Sequence, residues 1–309
     1  MARKTSRQNF LINRPRNYFH SKLKIRFRRC QRIFILRCMD WIKAIRPANV
    51  VLVFFTVLLG AALCGCADNE AIIAGISAAL ILAGGNLLND AVDIPVDRIS
   101  HPERPAAAGK LSKSACLWGA GILFSGGIAV SLYLPTSAVI VAVVAVAALV
   151  LYSLVLVRLP LIGNFVIAGL SALAAVFGAL ASCSVCTKTV WMATIAGLLH
   201  LPREIFKDVQ DYDGDLAVGR KTLPILLGKR KSSHFAVAAC VAAMIAIVAP
   251  YLGGVFSDYY LSAAFVPFAL VGVAAVFGGR GYPHTAQKYL KFAMLFGLVA
   301  LFVEFMASR

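Results

Sequence analysis

Nine long apolar segments constrain this chain of 309 residues more than any other feature. Each has close to the 20 or so residues that a helix needs to cross the hydrocarbon of a bilayer. None shows the alternation of apolar and polar residues that is typical of a transmembrane β-strand. We therefore predict an all-α integral membrane protein with nine transmembrane helices, at residues 45–66, 71–88, 115–134, 138–157, 164–182, 190–205, 235–252, 261–278 and 289–306.

The composition excludes most other classes of protein. Hydrophobic residues make up 60% of the chain and charged residues only 15%, whereas soluble domains have roughly 45–50% and about 25%. The net charge of +17 would suit a nucleic-acid-binding protein or a disordered basic protein. The long uncharged segments exclude both classes because these segments need burial, and we expect no nucleic-acid partner.

The basic residues predict the orientation of the helices. Residues 1–39 contain twelve Lys and Arg and no acidic residue. The loops after the second, fourth, sixth and eighth predicted helices, together with the ends of the helices beside them, contain fifteen Lys and Arg, whereas the loops after the odd-numbered helices contain only Lys188. Because short basic loops remain in the cytoplasm, we predict a cytoplasmic N-terminus, an external C-terminus and a location in the cell membrane or an inner membrane.

Residues 1–39 are predicted to form a basic N-terminal cytoplasmic extension, and residues 40–309 the membrane domain. Aromatic residues lie among the cations of the extension, a pattern that favours binding to an anionic leaflet of membrane lipids. A targeting peptide and a scaffold that recruits partner proteins are alternative interpretations.

Two short segments hold nine of the 14 acidic residues, and both lie on the predicted cytoplasmic side. In the first, Asn89, Asp93 and Asp97 are spaced i, i+4, i+8 and would share one face of a helix. Like charges one turn apart repel each other unless a cation lies between them. Oxygen donors without Cys or His favour Mg²⁺ or Mn²⁺. Pro95 is expected to kink or end this helix.

The second acidic segment repeats this pattern. Asp208, Asp211 and Asp215 fall at i, i+3, i+7, again on one helical face. Lys and Arg residues flank the segment, and Gly214 and Gly219 are expected to mark the helix end and a turn. Two facing carboxylate stripes of this kind predict a site for a diphosphate held through bridging metal ions. The apolar bundle behind them suits a long hydrocarbon chain.

The two segments resemble the paired aspartate-rich motifs of the UbiA superfamily of intramembrane prenyltransferases. The likeness covers roughly residues 41–309 and includes the Arg46-Pro47-x-Asn49 start of the first helix. It implies nine transmembrane helices around a central cavity, and transfer of a prenyl group from an allylic prenyl diphosphate to a lipophilic acceptor. The matching motifs read Asn89-Asp90-x-x-Asp93-x-x-x-Asp97 with Arg104-Pro105, and Asp208-x-x-Asp211-x-x-Gly214-Asp215 with Lys221-Thr222.

The resemblance also implies roles for individual residues. The metal ions, Mg²⁺ or Mn²⁺, would be held by Asn89, Asp93, Asp97, Asp211 and Asp215, with Asp90 and Asp208 in support. The catalytic residues would be Asp93, Asp97, Asp211, Asp215 and Lys207. The substrates would contact Arg46, Asn49, Arg104, Lys110, Asn164, Arg203, Arg220 and Lys221.

The residue at position 203 gives information about the identity of the acceptor. Some members of the superfamily have a Tyr at this position, where this chain has Arg203. The Arg203-Glu-x-x-Lys207-Asp208 run is more similar to the branch that adds geranylgeranyl to geranylgeranylglyceryl phosphate in archaeal-type ether lipids. An extra Arg would suit an acceptor that has its own phosphate. Members that prenylate 4-hydroxybenzoate, homogentisate, naphthoate or chlorophyllide are the alternative.

A secondary transporter is the rival class of protein. It would place ionisable residues near the middle of the spans, where the predicted spans have none. His101 and His200 are interpreted as structural or hydrogen-bonding residues. Two pairs of cysteines, at 64 and 66 and at 183 and 186, lie in predicted outer loops. Disulfide bonds there require an oxidising exterior, and the sequence leaves their formation undecided.

Overall fold

A computed structural model describes residues 38–66 and 68–309, which contain helices and no β-strand. The prediction for the extension at residues 1–39 lies almost entirely outside these residues. The all-α prediction is confirmed. The helices are α1 (Cys38–Ile45), α2 (Pro47–Ala62), α3 (Asn69–Val92), α4 (Ile94–Ser100), α5 (Lys113–Ser131), α6 (Thr136–Leu154), α7 (Ile162–Ser182), α8 (Thr187–Gln210), α9 (Tyr212–Ala217), α10 (Leu223–Leu227), α11 (Lys229–Leu252), α12 (Asp258–Gly279) and α13 (Pro283–Ala307).

Seven of the described helices are long and apolar enough to cross a membrane: α3, α5, α6, α7, α11, α12 and α13. The pair α1 and α2, bent by 48°, makes an eighth when it is counted as one span. Helix α8 matches the sixth predicted segment, at residues 190–205, and has 24 residues. Lys188 at its start and Arg203, Glu204 and Lys207 near its end shorten its apolar part. The described chain is therefore an integral membrane protein with seven or eight candidate spans, and the predicted count of nine is not confirmed.

Arg46 forms the bend between α1 and α2. It has φ 56° and ψ 68°, in the left-handed region, which costs a residue with a side chain roughly 1–2 kcal/mol. Pro47 follows as the first residue of α2, a position where the missing amide hydrogen is not needed. The Arg46 guanidinium donates to Asp90 of α3 at 2.5 Å. This ion pair holds the bend against α3 and directs Arg46 towards the cavity described below.

Buried apolar side chains form two clusters, one in each half of the described chain. The first lies among α1 to α7 and includes Leu87, Phe124 and Phe177. The second lies mainly among α8, α11, α12 and α13 and includes Phe206 and Ile247. Helices α2 and α7 contribute to both clusters. They therefore form the seam between two helical subbundles.

Two glycines allow α2 and α7 to approach closely. A methyl group built on Gly178 would lie 1.9 Å from the carbonyl oxygen of Val57, and one built on Gly60 would lie 2.2 Å from that of Ala175. No side chain fits at these distances. Small residues at helix contacts are the usual means of close packing in membranes, where hydrophobic burial does not draw helices together.

The four cysteines of the predicted outer loops form two disulfide bonds. Cys64 pairs with Cys186, and Cys66 pairs with Cys183, with Cα–Cα distances of 5.6 and 6.4 Å. The bonds join the α2–α3 connection to the α7–α8 connection. They lie at the opposite ends of α3 and α8 from the two acidic motifs, so they close the end of the bundle that is remote from the candidate site.

Candidate active site

Each acidic motif breaks a helix at an aspartate. Asp93 separates α3 from α4 and has φ −85° and ψ 1°. Asp211 separates α8 from α9 with nearly the same values, φ −83° and ψ 3°. The break after Asp93 agrees with the expected effect of Pro95. The expectation that the second helix ends at Gly214 is wrong, because α8 ends before Asp211.

Gly214 instead lies inside α9 and brings the two motifs together. A methyl group built on it would lie 2.6 Å from the hydroxyl oxygen of Ser100 and 2.9 Å from the carbonyl oxygen of Val96, both in α4. Because Gly214 has no side chain, α9 packs directly on α4. Gly219 adopts the expected turn with φ +71°. The second motif therefore meets the first through a close helix contact.

Arg220 bridges the two motifs. Its Nη2 donates to Oδ1 of Asp93, and its Nη1 donates to Oδ1 of Asp215 at 3.3 Å. The side chain of Asp215 is only 3% exposed. Two carboxylates that share one cation repel each other less than they would alone. The site therefore already holds positive charge between Asp93 and Asp215.

Residues of the segment after α4 contact two more motif carboxylates, Asp97 and Asp211. Arg104 donates from Nη1 to Oδ1 of Asp97 at 2.7 Å. Nε2 of His101 lies 2.9 Å from Oδ1 of Asp211. His101 thus joins the end of the first motif to the centre of the second, in agreement with the expected hydrogen-bonding role.

Three further motif residues are held by neighbouring helices. Asn89 accepts a hydrogen bond from the Ser153 hydroxyl of α6 at 2.5 Å. Asp208 accepts one from the Asn164 side chain of α7 at 2.8 Å. Asp90 is held by the Arg46 ion pair at the α1–α2 bend. These contacts tie α3 and α8 to the rest of the bundle beside the motif junctions.

The donor set of the two motifs fits a hard divalent cation. Within residues 38–66 and 68–309, no three His, Cys, Asp or Glu side chains are already grouped tightly enough to hold one ion. However, Oδ2 of Asp97 is buried and has no hydrogen-bond partner among the described residues. A buried anionic oxygen without a partner is costly. Carboxylate oxygens of this kind are ligands that Mg²⁺ prefers.

Burial makes two of these carboxylates difficult to ionise. It raises the pKa of Asp215 to about 6, although the Arg220 charge opposes this effect. It also raises the pKa of Asp97, although Arg104 opposes it. Both groups lie in short helices outside the candidate spans. At neutral pH an added cation would offset the cost of holding these carboxylates in their charged form.

A cavity of about 500 Å³ lies beside the carboxylates, a volume typical of ligand sites. His101 and Arg104 line its polar end and separate it from Asp211 and Asp97. The rest of its wall is predominantly apolar. It includes Leu52, Val53, Ile81, Leu82, Leu149, Ile167, Leu170, Phe177, Met192, Ile195, Leu199, Met294, Leu298 and Leu301. The shape and lining suit a hydrocarbon chain with a charged head group.

A second polar region of the wall is formed by α8. Glu204 accepts from Nη1 of Arg203 at 2.6 Å and from Nζ of Lys207 at 3.4 Å. All three residues line the cavity. Gln287 of α13 donates to Gln210 of α8 at 2.8 Å, which joins these two helices beside the charged residues.

The structure places the predicted substrate residues in different surroundings. Arg46, Asn49, Arg104 and Arg203 line the cavity, as does Lys207. Lys110 is half exposed and pairs with Asp40 at 3.6 Å. Lys221 is exposed, and neither Lys110 nor Lys221 lines the cavity. Their role in substrate binding stays a prediction.

Sequence reasoning missed several residues of this assembly. Ser153 binds Asn89 across 64 residues of chain, and Lys291 reaches the cavity from the last helix. No local pattern marks either residue. His101 lies four residues after Asp97, so the spacing of the first motif could have included it.

The sequence model of the UbiA prenyltransferase family matches residues 51–300 of this chain. The chain belongs to this family. It is 34% identical over 270 residues to the digeranylgeranylglyceryl phosphate synthase of Natronomonas pharaonis. The aligned region covers 86% of this chain and 97% of that protein. The predicted resemblance is confirmed, and the protein is an intramembrane prenyltransferase.

Two solved structures are similar to this prenyltransferase. A digeranylgeranylglyceryl phosphate synthase structure has a TM-score of 0.68 and 28% identity, and covers 88% of this chain and 99% of its own. A UbiA homologue of Archaeoglobus fulgidus bound to GPP and Mg²⁺ has a TM-score of 0.60 and 16% identity, and covers 86% of this chain and 99% of its own. At that identity, the second structure shows a shared fold.

Proposed function

We propose that this UbiA prenyltransferase transfers a geranylgeranyl group from geranylgeranyl diphosphate to geranylgeranylglyceryl phosphate, in ether lipid synthesis. The observation that carries the proposal is the convergence of two acidic motifs at the polar end of an apolar cavity. Relatives named digeranylgeranylglyceryl phosphate synthase support the choice of substrates. Arg203 in the cavity wall agrees with an acceptor that carries a phosphate.

The reaction breaks the bond between the allylic carbon of the donor and its diphosphate oxygen. The diphosphate leaves with the electron pair of that bond, the acceptor hydroxyl oxygen then bonds to the allylic carbon, and the hydroxyl proton passes to the released diphosphate or to solvent. Mg²⁺, or Mn²⁺, would neutralise the charge that develops on the leaving oxygen. We assign its ligands to Asn89, Asp93, Asp97, Asp211 and Asp215, with Asp90 and Asp208 in support.

The protein's own residues have three tasks in this reaction. Arg220 and Lys207 would contact the outer oxygens of the diphosphate. Arg104 would hold Asp97 in place and would face the charge of the diphosphate itself. Guanidinium groups suit this task because they bind phosphate oxygens in pairs. The apolar wall would keep water away from the allylic cation, which would otherwise react with it.

We also propose that α8 crosses the membrane, which brings the number of spans to nine. The N-terminus would be cytoplasmic and the C-terminus external. The ends of α3 support this arrangement. Its 24 residues give a length of about 36 Å, enough to separate the acidic motif at one end from the disulfide bonds at the other. Disulfide bonds persist in oxidising compartments, which supports the proposal that their end faces the outside of the cell. The basic loops agree with this orientation.

The two-part organisation of the chain completes the proposal. Residues 40–309 would form the catalytic membrane domain, and residues 1–39 would bind anionic lipids of the cytoplasmic leaflet. The twelve cations of the extension support this role. Removal of residues 1–39 should weaken binding to anionic vesicles and leave turnover intact. Loss of turnover with unchanged membrane binding would contradict it.

The decisive experiment uses the purified protein with geranylgeranyl diphosphate and a panel of acceptors. The panel contains geranylgeranylglyceryl phosphate, 4-hydroxybenzoate, homogentisate and a naphthoate, and products are identified by mass. We expect the diether phosphate product with Mg²⁺ and none with EDTA, and a further arm replaces Mg²⁺ with Mn²⁺. A prenylated aromatic product alone would refute the assigned acceptor.

A further inference from the structure

The charges around the cavity divide into two regions with different net charge. Among the described residues, five cations line the cavity: Arg46, Arg104, Arg203, Lys207 and Lys291. Arg46 and Arg104 are each matched by a buried aspartate behind the wall. The other three lie on α8 and α13, where Glu204 is the only carboxylate lining this part of the described wall.

Lys207 is assigned above to the diphosphate, and Arg203 and Lys291 against Glu204 leave the region on α8 and α13 positive by about one charge. Glu204 is shared by Arg203 and Lys207. Lys291 makes no ion pair with any carboxylate that the structure describes within 4.0 Å. A phosphate monoester carries about −1.5 to −2 charges near neutral pH. Such a group would be attracted to this region directly, without a metal ion.

The other region has the opposite character. Asp93, Asp97, Asp211 and Asp215 outnumber Arg104 and Arg220, so a bound phosphate there needs additional cations. This difference separates the two polar groups of the reaction by chemistry. The diphosphate of the donor suits the acidic motifs with metal, and a phosphate on the acceptor suits the cationic region.

The helix geometry places Lys291 and Arg203 on the same side of the cavity. Helices α8 and α13 pack against each other, and the Gln287–Gln210 hydrogen bond fixes their register. Lys291 follows Gln287 by one turn of α13, or about 6 Å. Arg203 precedes Gln210 by two turns of α8, or roughly 10 Å. Because the two helices run in opposite directions, Lys291 and Arg203 lie on the same side of this hydrogen bond along the helix axes.

Arg203 has donors available for a ligand. Its Nη1 is bound to Glu204, and its Nε has no hydrogen-bond partner among residues 38–66 and 68–309. Its side chain is only 14% exposed. A buried guanidinium donor without a partner is costly, and binding of a phosphate at this guanidinium would relieve that cost.

We infer that Arg203 and Lys291 form a second anion site, which binds the phosphate monoester of the acceptor and selects acceptors that carry one. This inference rests on the proposed function and deepens it. It assigns Lys291 a part in substrate recognition and distinguishes a glycerophosphate acceptor from an uncharged or aromatic one.

The test is a double cycle in which the Lys291 side chain and the phosphate of the acceptor are each removed, separately and together. The wild-type protein and Lys291→Ala are assayed with geranylgeranylglyceryl phosphate and with geranylgeranylglycerol, which lacks the phosphate. Loss of a charge-assisted contact to phosphate should raise the KM for the phosphorylated acceptor by about tenfold to a hundredfold. The same change should leave the KM for geranylgeranylglycerol and for geranylgeranyl diphosphate nearly unchanged. Lys291→Arg should retain most of the preference for phosphate.

Lys288 provides the matched control. It lies on the same helix and is exposed, as Lys291 is, but it does not line the cavity, so Lys288→Ala should change none of these constants. Equal losses on both acceptors, or a rise in KM for the donor, would overturn the inference. If the wild-type protein forms product and Lys291→Ala has an unchanged KM for the phosphorylated acceptor, the inference is overturned and the proposed function stands. No product from the phosphorylated acceptor with the wild-type protein would overturn the proposed function as well.

Discussion

Replacement of Asp215 by Asn should stabilise the metal-free protein and strongly reduce the activity that is measured with Mg²⁺. Burial raises the pKa of Asp215 from 3.8 to about 6, so ionisation of this group opposes folding. The cost is absent well below pH 4, grows between pH 4 and 6, and is complete above pH 6. At pH 7 it is on the order of 2–3 kcal/mol. The neutral amide removes this cost and keeps the shape of the side chain.

The same substitution removes a charge from the proposed metal site. Loss of a preorganised electrostatic contact to the reacting group typically lowers kcat by about 10²- to 10³-fold. Mg²⁺ should stabilise the wild-type protein against unfolding because it binds the native site. It should have little effect on Asp215→Asn. Stability and activity are therefore expected to change in opposite directions.

Asp213 is the matched control for this experiment. It lies in the same helix, but its side chain is 72% exposed and pairs with Lys229 at 3.4 Å. Exposed ion pairs contribute about 0–1 kcal/mol, so Asp213→Asn should change neither stability nor turnover appreciably. Thermal unfolding in detergent, with EDTA and with Mg²⁺, and prenyl transfer are measured for both variants. A lower melting temperature of Asp215→Asn in EDTA, or full activity with Mg²⁺, would refute this reasoning.

Three further predictions concern the metal, the helix contacts and the disulfide bonds. Below pH 6, protonation of Asp215 competes with the metal, so the Mg²⁺ concentration for half-maximal activity should rise by about tenfold per pH unit. A midpoint independent of pH between 5 and 7 would contradict this. Gly178→Ala should cost at least about 1–3 kcal/mol through overpacking, measured by thermal unfolding. Gly169→Ala in the same helix meets open space and should be neutral or slightly stabilising, and equal effects of the two would disprove the close contact. The four outer cysteines should react with a maleimide reagent only after reduction, and labelling of all four without reductant would show that the disulfide bonds are absent.

The sequence was sufficient for the class of protein and for the recognition of the two acidic motifs. Helices in a bilayer require long apolar segments, and this requirement is local to each segment. For α3, the boundaries of the apolar run agree with the helix. For α8, composition was less decisive because Arg203, Glu204 and Lys207 occupy its last turns. The spacing of the acidic residues identified both motifs because side chains four residues apart share a helix face.

Only the tertiary structure decided which groups meet. The breaks at Asp93 and Asp211 turn the motifs towards each other, and the space left by Gly214 allows them to touch. Arg220 contacts Asp93 across 127 residues of the chain. Lys291 reaches the cavity from the last helix.

Local spacing contains no information about such partners. A contact between distant segments depends on how whole helices pack, and thus on the shape of every side chain between them. The apolar pattern therefore determines that this chain enters a membrane as helices and which ends carry its charges. The packing of those helices determines which cation neutralises which carboxylate, and it leaves Lys291 without an acidic partner at the cavity wall.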